Sequence, residues 1–491
     1  MTYLRDTILI LIAAGLAIPA YAALRSDKVG RWIEPATPES LGAIRIIVAS
    51  ILLGSVLWED VASSAYLPRS MLDLRHSWLL AGLYNLPIGF DRLLASHSGL
   101  EVFSIVTAII LALAAAGFLT RWTVPAGAIA YMIFAAIPRS YSWSYHTGVI
   151  PLYAMALLSF TPCGDGLSID RLIRQRRGFS VPASNERSLP YGLGRYLIWM
   201  GVSIPYTLAG MSKIRNTGLM WWNGEQLKQM IIGTIVEPMH FNFQLAFQVM
   251  TGPTWIFAIL GLSALLTEIT FVAVLVSRFA RRILPLVMAS THVGILFLQN
   301  ILFPDLIAIQ LVFYDLPSLW RKGRARITEA AVSVQSVGRT VRIESVTARA
   351  FLVIALFVWA TRTEKFPLTA MQMFSRPATI GPVEYVVPVV YYADGSHEQA
   401  RFERWIGAVA DTRYRRLIRD WHSKPERLPR LHEFLEAAAR QANATAPQSR
   451  KVDHFVLEVR SWDFRNNPHD PSRGKLLRTI RYDVTEKSAG L

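Results

Sequence analysis

The chain is nearly devoid of cysteine, the residue that builds disulfides and many metal clusters. Cys163 is the single cysteine among 491 residues. One cysteine excludes an intramolecular disulfide, a thiolate cluster and a zinc site made from several cysteines, and we predict no metal cofactor. The sequence also has no glycine-rich phosphate-binding loop, internal repeat or low-complexity tract. Nothing in it therefore points to a nucleotide-driven pump.

Charged residues are scarce as well, at 18%, whereas hydrophobic residues make up 52% and the mean hydropathy is +0.31. The apolar residues are gathered into blocks, most of them close to the roughly 20 residues that a helix needs to cross a bilayer. We therefore predict an all-α polytopic membrane domain with about ten transmembrane helices. The expected crossings are residues 7–24, 40–58, 100–119, 123–138, 147–162, 191–211, 254–276, 282–302, 303–316 and 347–361. The segments 303–316 and 347–361 are short enough to be re-entrant or buried instead.

The net charge of +16 is concentrated in alternate loops between these segments. The basic loops carry Arg25, Lys28 and Arg31; Arg171, Arg174, Arg176 and Arg177; Arg278, Arg281 and Arg282; and Arg321, Lys322, Arg324 and Arg326. This alternation is the positive-inside pattern of a multi-pass cell membrane protein, with membrane lipid and not nucleic acid as its partner. It places the N-terminus, residues 212–253 and everything after about 362 outside the cytoplasm. It predicts an amphipathic segment on the inner face at residues 327–346.

The first segment, 7–24, has two interpretations. Ala20-Tyr21-Ala22 resembles a signal-peptidase site, but the residues after the segment are more basic than those before it. That charge distribution favours an uncleaved helix whose N-terminus is outside.

A change of composition near residue 362 divides the chain into a membrane domain, 1–361, and a small soluble α+β domain, 362–491. The second part has no apolar run long enough to span a membrane. It shows an alternating stretch at 384–393 that ends in the turn signal Ala393-Asp394-Gly395, which predicts a strand. We expect helices near 399–420 and 428–443 and further strands at 453–461 and 476–484. A protein or peptide substrate bound to this extracytoplasmic domain is a candidate partner.

Four ionisable residues within or beside the crossings are candidate site residues, because such groups are costly in hydrocarbon. Lys213 ends the run 191–213, His146 begins a crossing, and Glu268 and His292 lie inside two others. Each has a structural alternative. Lys213 could snorkel to the headgroups, each histidine could hydrogen-bond a neighbouring helix, and Glu268 could neutralise a cation between helices. Four such groups on separate crossings predict a shared interior cavity.

Four motifs follow one another along the chain: His146 with its apolar helix, Phe160 to Asp170, Ala209-Gly210-Met211-Ser212-Lys213 and Trp221-Trp222-Asn223-Gly224. Together they resemble the HTTM family, which includes the vitamin K-dependent γ-glutamyl carboxylases and bacterial relatives. The resemblance covers about residues 40–316, and the crossing at 7–24 is additional to it. It implies that Lys213 is the base that deprotonates a reduced quinone and that His146 orients the reacting groups. His292 matches a family histidine on a later helix.

The chemistry of the residues agrees with that implication. A base for a quinol hydroxyl must be neutral, and an apolar pocket lowers the pKa of a lysine, whereas an arginine stays protonated. Trp143, Tyr145 and Tyr206 are candidates for lining a flat quinone site, with Glu268 beside them. Trp221 and Trp222 could line it too, although an interfacial aromatic belt is the simpler role for that pair.

The residues and the resemblance together predict a membrane enzyme that acts at the outer face. It would use a reduced, vitamin K-like quinone with O2, and CO2 in a carboxylase-like reaction. The alternative is a non-catalytic module that binds lipid or quinone, or that scaffolds a partner through its C-terminal domain. A secondary transporter is a weaker alternative, because the sequence shows neither paired broken helices nor a two-half repeat.

Overall fold

A computed structural model gives the structure of the protein and describes residues 2–86, 89–142, 146–238, 241–243, 245–321, 338–470 and 472–484. This part of the chain is mainly helical. The helices are α1 (Thr2–Ala23), α2 (Pro38–Trp58), α3 (Trp78–Asn85), α4 (Phe90–Ala95), α5 (His97–Ala116), α6 (Thr120–Tyr141), α7 (Val149–Leu158), α8 (Ile169–Arg176), α9 (Leu189–Thr217), α10 (Gly224–Val236), α11 (Leu245–Val249), α12 (Thr254–Thr270), α13 (Arg278–Gln299), α14 (Pro304–Ala308), α15 (Leu316–Arg321), α16 (Arg339–Ala360), α17 (Asp411–His422) and α18 (Leu428–Thr445).

Six helices in the described part are long and apolar enough to cross a membrane, in agreement with a membrane protein. They are α1, α2, α5, α13, α16 and α12 with its 3-10 continuation to Leu275. The prediction of about ten transmembrane helices is not confirmed. The segments 147–162 and 303–316 form apolar helices of only 10 residues, Val149–Leu158 and Pro304–Phe313. Helices α6 and α9 are long enough but less apolar.

Local sequence signals explain where these helices begin and end. The Thr37 side chain accepts a hydrogen bond from the Ser40 backbone N–H (3.2 Å), and Pro38 occupies the first turn of α2. A threonine cap followed by proline is a favoured helix start. Helix α5 ends at Gly117, whose φ of +73° is left-handed and whose missing Cβ would lie 2.5 Å from the Ser168 Cβ. A residue with a side chain would therefore be strained at this position.

Contacts at one end of the bundle join the loops that were predicted to be cytoplasmic. The Arg45 guanidinium, fully buried, donates to the backbone carbonyls of Gly166 (3.2 Å) and Leu167 (2.6 Å). Arg278 pairs with Glu34, just before α2. We call this the basic end. Of the predicted surface segment 327–346, residues up to 337 lie outside the described residues, and the rest begins α16.

The opposite end carries the C-terminal domain, so we call it the domain end. Two strands, β1 (Glu364–Lys365) and β2 (Leu368–Thr369), form a hairpin directly after α16. A second, antiparallel sheet has the order β4-β3-β5-β6. Its strands are β3 (Val383–Tyr392), β4 (His397–Gln399), β5 (Val452–Trp462) and β6 (Lys475–Asp483). The predicted strands at 384–393, 453–461 and 476–484 and the helix at 428–443 are therefore present.

The predicted helix at 399–420 begins later, at Asp411, and the reason is local. Residues 397–399 pair with β3 as β4 instead. The Asp411 carboxylate then accepts a hydrogen bond from the Phe402 backbone N–H (2.8 Å) and fixes the loop before α17. Phe402 packs in the domain core against Phe434 and Phe455, with ring centroids 5.0 and 6.0 Å away.

Ion pairs to a buried glutamate and a hydrogen bond join the C-terminal domain to the bundle. Glu237, after α10, is buried and pairs with Arg419 (3.3 Å) and Arg416 (3.7 Å) of α17. The Tyr153 hydroxyl donates to the Pro367 carbonyl (2.6 Å). The C-terminal domain thus closes over the domain end of the bundle.

Candidate functional site

A cavity of about 1750 Å³ lies between the domain end of the bundle and the C-terminal domain. Its inner part, which we call the chamber, is lined by Glu59, Arg139, His146, Asp305 and Glu364. A concentration of ionisable groups in one large cavity is the usual setting for binding or catalysis.

The same cavity continues along the apolar faces of α2 and the helix Pro304–Phe313. This continuation, which we call the groove, is lined by Ile46, Ser50, Gly54, Ala308 and Leu311. Ile46 and Leu311 are 36% and 45% exposed on the outside of the bundle. The groove therefore connects the apolar outer surface of the helices with the chamber.

Arg139 and Asp305 bring buried charge into the chamber. Arg139 lies in the last turn of α6 and donates hydrogen bonds to the carbonyls of Ala135 and Thr147, while its guanidinium lies 4.5 Å from the Phe366 ring centroid. Asp305 is 2% exposed and accepts a hydrogen bond from the Gly148 backbone N–H (2.6 Å). Its other carboxylate oxygen is buried and has no partner among the residues that the structure describes. This oxygen is free to bind a donor on a ligand.

Gly148 is required for this arrangement. Its φ is +75°, and a Cβ would lie 2.0 Å from the Tyr131 hydroxyl oxygen. The close approach turns the chain into α7 and presents the Gly148 backbone N–H to Asp305.

His146 lies just before α7, half-buried, and lines the chamber as predicted. Burial, with a contribution from the charges of Arg139 and Arg413, lowers its pKa to about 4. The imidazole is therefore neutral near pH 7 and able to accept a proton or a hydrogen bond. Trp143 and Tyr145, which were predicted to line a flat quinone site, lie outside the described residues.

The chamber carboxyls Glu59 and Glu364 lie beyond the ends of α2 and α16. Burial raises the pKa of Glu59 to about 7, opposed by Arg139 and reinforced by Asp305. Burial also raises the pKa of Glu364, which accepts hydrogen bonds from the Thr369 hydroxyl (2.7 Å) and from a backbone N–H (3.3 Å). Glu59 can therefore exchange protons near neutral pH.

Lys213 occupies a separate buried cluster at the same end of the bundle. It is 4% exposed, and its Nζ donates to both carboxylate oxygens of Glu268, at 2.8 and 2.6 Å. The same Nζ lies 5.3 Å from the centroid of the Trp221 ring. Lys213 does not extend to the surface as a snorkelling residue would. Glu268 neutralises the Lys213 ammonium between α9 and α12. This is the structural role that the sequence offered for Glu268 as the alternative to a role in the site.

His292 and Tyr206 form a second part of this buried cluster. The Tyr206 hydroxyl and His292 Nε2 are 3.0 Å apart, and Gln310 donates to the same hydroxyl (3.1 Å). His292 Nδ1 is buried, and no atom in the described part of the chain is its hydrogen-bond partner. The Tyr206 ring packs on Phe271, 5.1 Å away, and is itself buried.

The chamber and the buried cluster lie next to each other without merging. Of the described residues that line the cavity, none is Lys213, His292, Tyr206 or Glu268. Phe303 and Phe374, which we call the wall, stand between the two sites. Phe303 packs on His292 (5.8 Å), the Phe374 carbonyl accepts a hydrogen bond from Trp221 (2.8 Å), and both phenylalanines line the cavity. Trp221 is thus buried in this contact, while Trp222 is 39% exposed.

Sequence reasoning missed Glu59, Arg139, Asp305 and Glu364. Asp305 could have been found, because it is a carboxylate inside the predicted crossing 303–316, the same signal that singled out Lys213. The other three follow or end helices, where charged residues are common and carry no signal of their own.

Comparison of the chain with protein-family models, curated proteins and solved structures finds no match. Within the described ranges, no three His, Cys, Asp or Glu side chains are grouped so that they could hold a metal ion.

Proposed function

We propose that the protein is a membrane enzyme that oxidises a lipid-soluble reduced quinone with O2 at the outer face of the cell membrane. The observation that carries this proposal is the continuous cavity, whose apolar groove opens on the bundle surface and whose other end is a chamber of buried ionisable groups. An amphiphilic molecule fits such a site, because its tail contacts apolar side chains while its polar head reaches the chamber.

The residues present suit a quinol head group. His146, neutral near pH 7, can accept a hydrogen bond from one hydroxyl, and the unpaired oxygen of Asp305 can accept another. Phe303, Phe366 and Phe374 give the chamber flat aromatic surfaces. A reduced quinone supplies the electrons, and the resemblance to the carboxylases adds CO2 as a second substrate.

In this proposal Lys213 is the base that accepts a proton from the quinol hydroxyl. A lysine can act as a base only after it has lost its own proton, and the two oxygens of Glu268 are within 2.8 Å to take it. The side chains of Phe303 and Phe374 must move for a substrate in the chamber to reach Lys213. His146 and His292 then flank the substrate from the two sides of the wall.

The orientation in the membrane is part of the proposal. We propose that all ten apolar segments cross the bilayer, that the basic end faces the cytoplasm and that the C-terminal domain lies outside. The gathering of Arg45, Arg174 and Arg278 at one end supports this orientation. A reporter enzyme that is active only outside the cytoplasm should be active when it is fused after Arg376. The same reporter fused after Arg177 should be inactive.

The experiment compares wild type with Lys213→Arg, both purified and reconstituted in lipid, using a panel of quinols, O2 and labelled bicarbonate. Arginine can form the same two hydrogen bonds with Glu268, so the fold should be kept, but a guanidinium cannot act as the base. We expect wild type to oxidise a quinol and the variant to lose about 10²-fold or more of the turnover. Undiminished oxidation by Lys213→Arg would remove Lys213 from the mechanism.

A second candidate function is a non-catalytic module that binds quinone or lipid and scaffolds a protein or peptide through the C-terminal domain. The arrangement around Lys213 favours it, since a carboxylate and the Trp221 ring both stabilise a charged ammonium. Quinone binding without turnover, unchanged in Lys213→Arg, would support this module. Quinol oxidation that depends on Lys213 would exclude it.

A further inference from the structure

The last strand of the C-terminal domain, β6, is an open edge of the four-stranded sheet. It pairs with β5 on one side, and no strand among the described residues pairs with its other side. Helix α18 reaches the end of β6, where the His432 ring packs on the buried Tyr482 at 4.9 Å. The first five residues of the strand are all exposed.

An edge of this length and exposure is unusual for a protein that keeps its sheet to itself. Open edges are commonly short, bulged or covered, because their unpaired backbone groups bind other strands. Strand β6 has nine residues, of which seven are exposed. Two of them, Leu476 and Leu477, are apolar and 50% and 53% exposed. Exposed leucines beside an unpaired backbone favour the addition of another strand.

The register of the sheet identifies the backbone groups that a partner could reach. In an antiparallel pair, residues that bond to the neighbouring strand alternate with residues that face away from it. The Val484 backbone N–H donates to the Asp453 carbonyl (3.2 Å), so Val484 faces β5. Counting back along the register, the backbone N–H and C=O groups that face away from β5 belong to Asp483, Arg481 and Thr479.

Basic side chains flank this edge on both faces of the sheet. The Arg478 guanidinium lies on the helix side, 2.9 Å from His422 Nε2 of α17. Arg481 lies on the opposite face and donates to Asp483 (2.6 Å). Together with Lys475, the strand has three basic residues against one acidic residue, a net charge of +2. A second copy of β6 would bring like charges together, whereas an acidic strand would be attracted.

We propose that β6 binds an extended, acidic segment of a partner protein, which adds to the sheet as a fifth strand. Main-chain hydrogen bonds to Thr479 and Arg481 hold the segment, and its acidic side chains contact the basic residues on either face. Its apolar side chains cover Leu476 and Leu477. The interaction is separate from the proposed quinol oxidation, because no residue of β6 is among the described residues that line the cavity.

The first test measures binding of synthetic peptides to the full chain in lipid nanodiscs. The probe is a fluorescent nine-residue peptide in which valine alternates with glutamate, and the control peptide has lysine in place of glutamate. We expect the glutamate peptide to bind at least about tenfold more tightly at low salt, with a difference that shrinks as salt is added. Equal binding of the two peptides would overturn the charge argument.

The second test changes the edge without changing its charge. Thr479→Pro removes an N–H that faces away from β5, so pairing within the sheet is kept while an added strand loses a donor and meets the proline ring. We expect this variant to bind the glutamate peptide about tenfold more weakly or worse, and Thr479→Val to bind it like wild type. Unchanged binding by Thr479→Pro would overturn strand addition. The double variant Lys475→Glu/Arg481→Glu should prefer the lysine peptide.

The third test distinguishes a peptide from the two other possible occupants of β6. A thiol-reactive dye attached to Leu477→Cys labels one position in the folded protein, because Cys163 is buried. Aqueous iodide should quench the dye, and bound glutamate peptide should protect it. Quenching by brominated lipid would instead assign Leu477 to the membrane surface. A dimer of the free protein that Thr479→Pro dissociates would assign β6 to a second copy, and either result would overturn the proposal.

Discussion

Removal of the Lys213 ammonium alone is expected to destabilise the bundle. The substitution Lys213→Met keeps a long side chain but leaves the Glu268 carboxylate without its partner. Glu268 is 18% exposed at the side chain and Lys213 only 5%. An unpaired buried carboxylate has few ways to recover the lost interaction, because the surrounding helices are apolar.

The size of the effect follows from the geometry of the pair. Breaking a buried ion pair by removing one partner costs about 3–5 kcal/mol. Because the Glu268 side chain retains some exposure, we expect Lys213→Met to lower the free energy of unfolding by about 3 kcal/mol, the lower end of this range. The double variant Lys213→Met/Glu268→Met should recover most of this loss, since apolar replacement of a whole buried pair is often neutral. Lys213→Arg should cost less than about 1 kcal/mol, because a guanidinium can donate two parallel hydrogen bonds to a carboxylate.

The chain provides its own reporter for this measurement. Cys163 is the single cysteine and is buried, so a thiol-reactive dye reports unfolding at one position. Unfolding of wild type, Lys213→Met, Glu268→Met and the double variant in detergent gives a double-mutant cycle. A stability of Lys213→Met equal to that of wild type, or a cycle in which the two single effects simply add, would refute the buried pair.

Three further predictions concern the groove, the chamber and the buried cluster. Gly54→Phe should narrow the groove and reduce quinone binding, whereas Gly294→Phe should not. In the described ranges no atom lies within 4 Å of the missing Cβ of either glycine, so the two variants should have similar stability, which is the control. Glu59 has a folded-state pKa raised from 4.5 to about 7, so its contribution to stability should be lost as pH rises between these values. Unfolding at several pH values should show this loss in wild type and not in Glu59→Gln. Tyr206→Phe should cost about 1–2 kcal/mol through the lost hydrogen bond to His292, and no change in the unfolding midpoint would contradict that bond.

Much of the architecture could be predicted from the sequence, because hydrophobic blocks and turn signals determine local structure. The apolar blocks at 40–58 and 282–302 are helices of membrane-spanning length, and the alternation at 384–393 is β3, one of the two central strands of the sheet. The helix at 149–158 is shorter than the predicted crossing, because the chain turns at Gly148 and ends the helix after Leu158. Composition alone does not mark such a turn.

The candidate site was only partly accessible to sequence reasoning. Lys213 was identified because a cation near hydrocarbon is costly, and the structure indeed provides a carboxylate for it. That Glu268 is the partner, 55 residues further along the chain, depends on how α9 and α12 pack. The chamber depends on three separate elements that bring Arg139, His146 and Asp305 together, and no local pattern encodes their proximity.

The central claim is that a quinone passes from the membrane through the groove into the chamber. A long-chain quinone with a photoreactive group on its ring, incorporated with the protein in liposomes, tests it most directly when the adducts are mapped by mass spectrometry. We predict adducts within residues 138–149 and 301–311, which unlabelled quinone suppresses and Gly54→Phe reduces. Adducts confined to the lipid-facing surfaces of α1 and α5, and unaffected by competitor, would contradict the account.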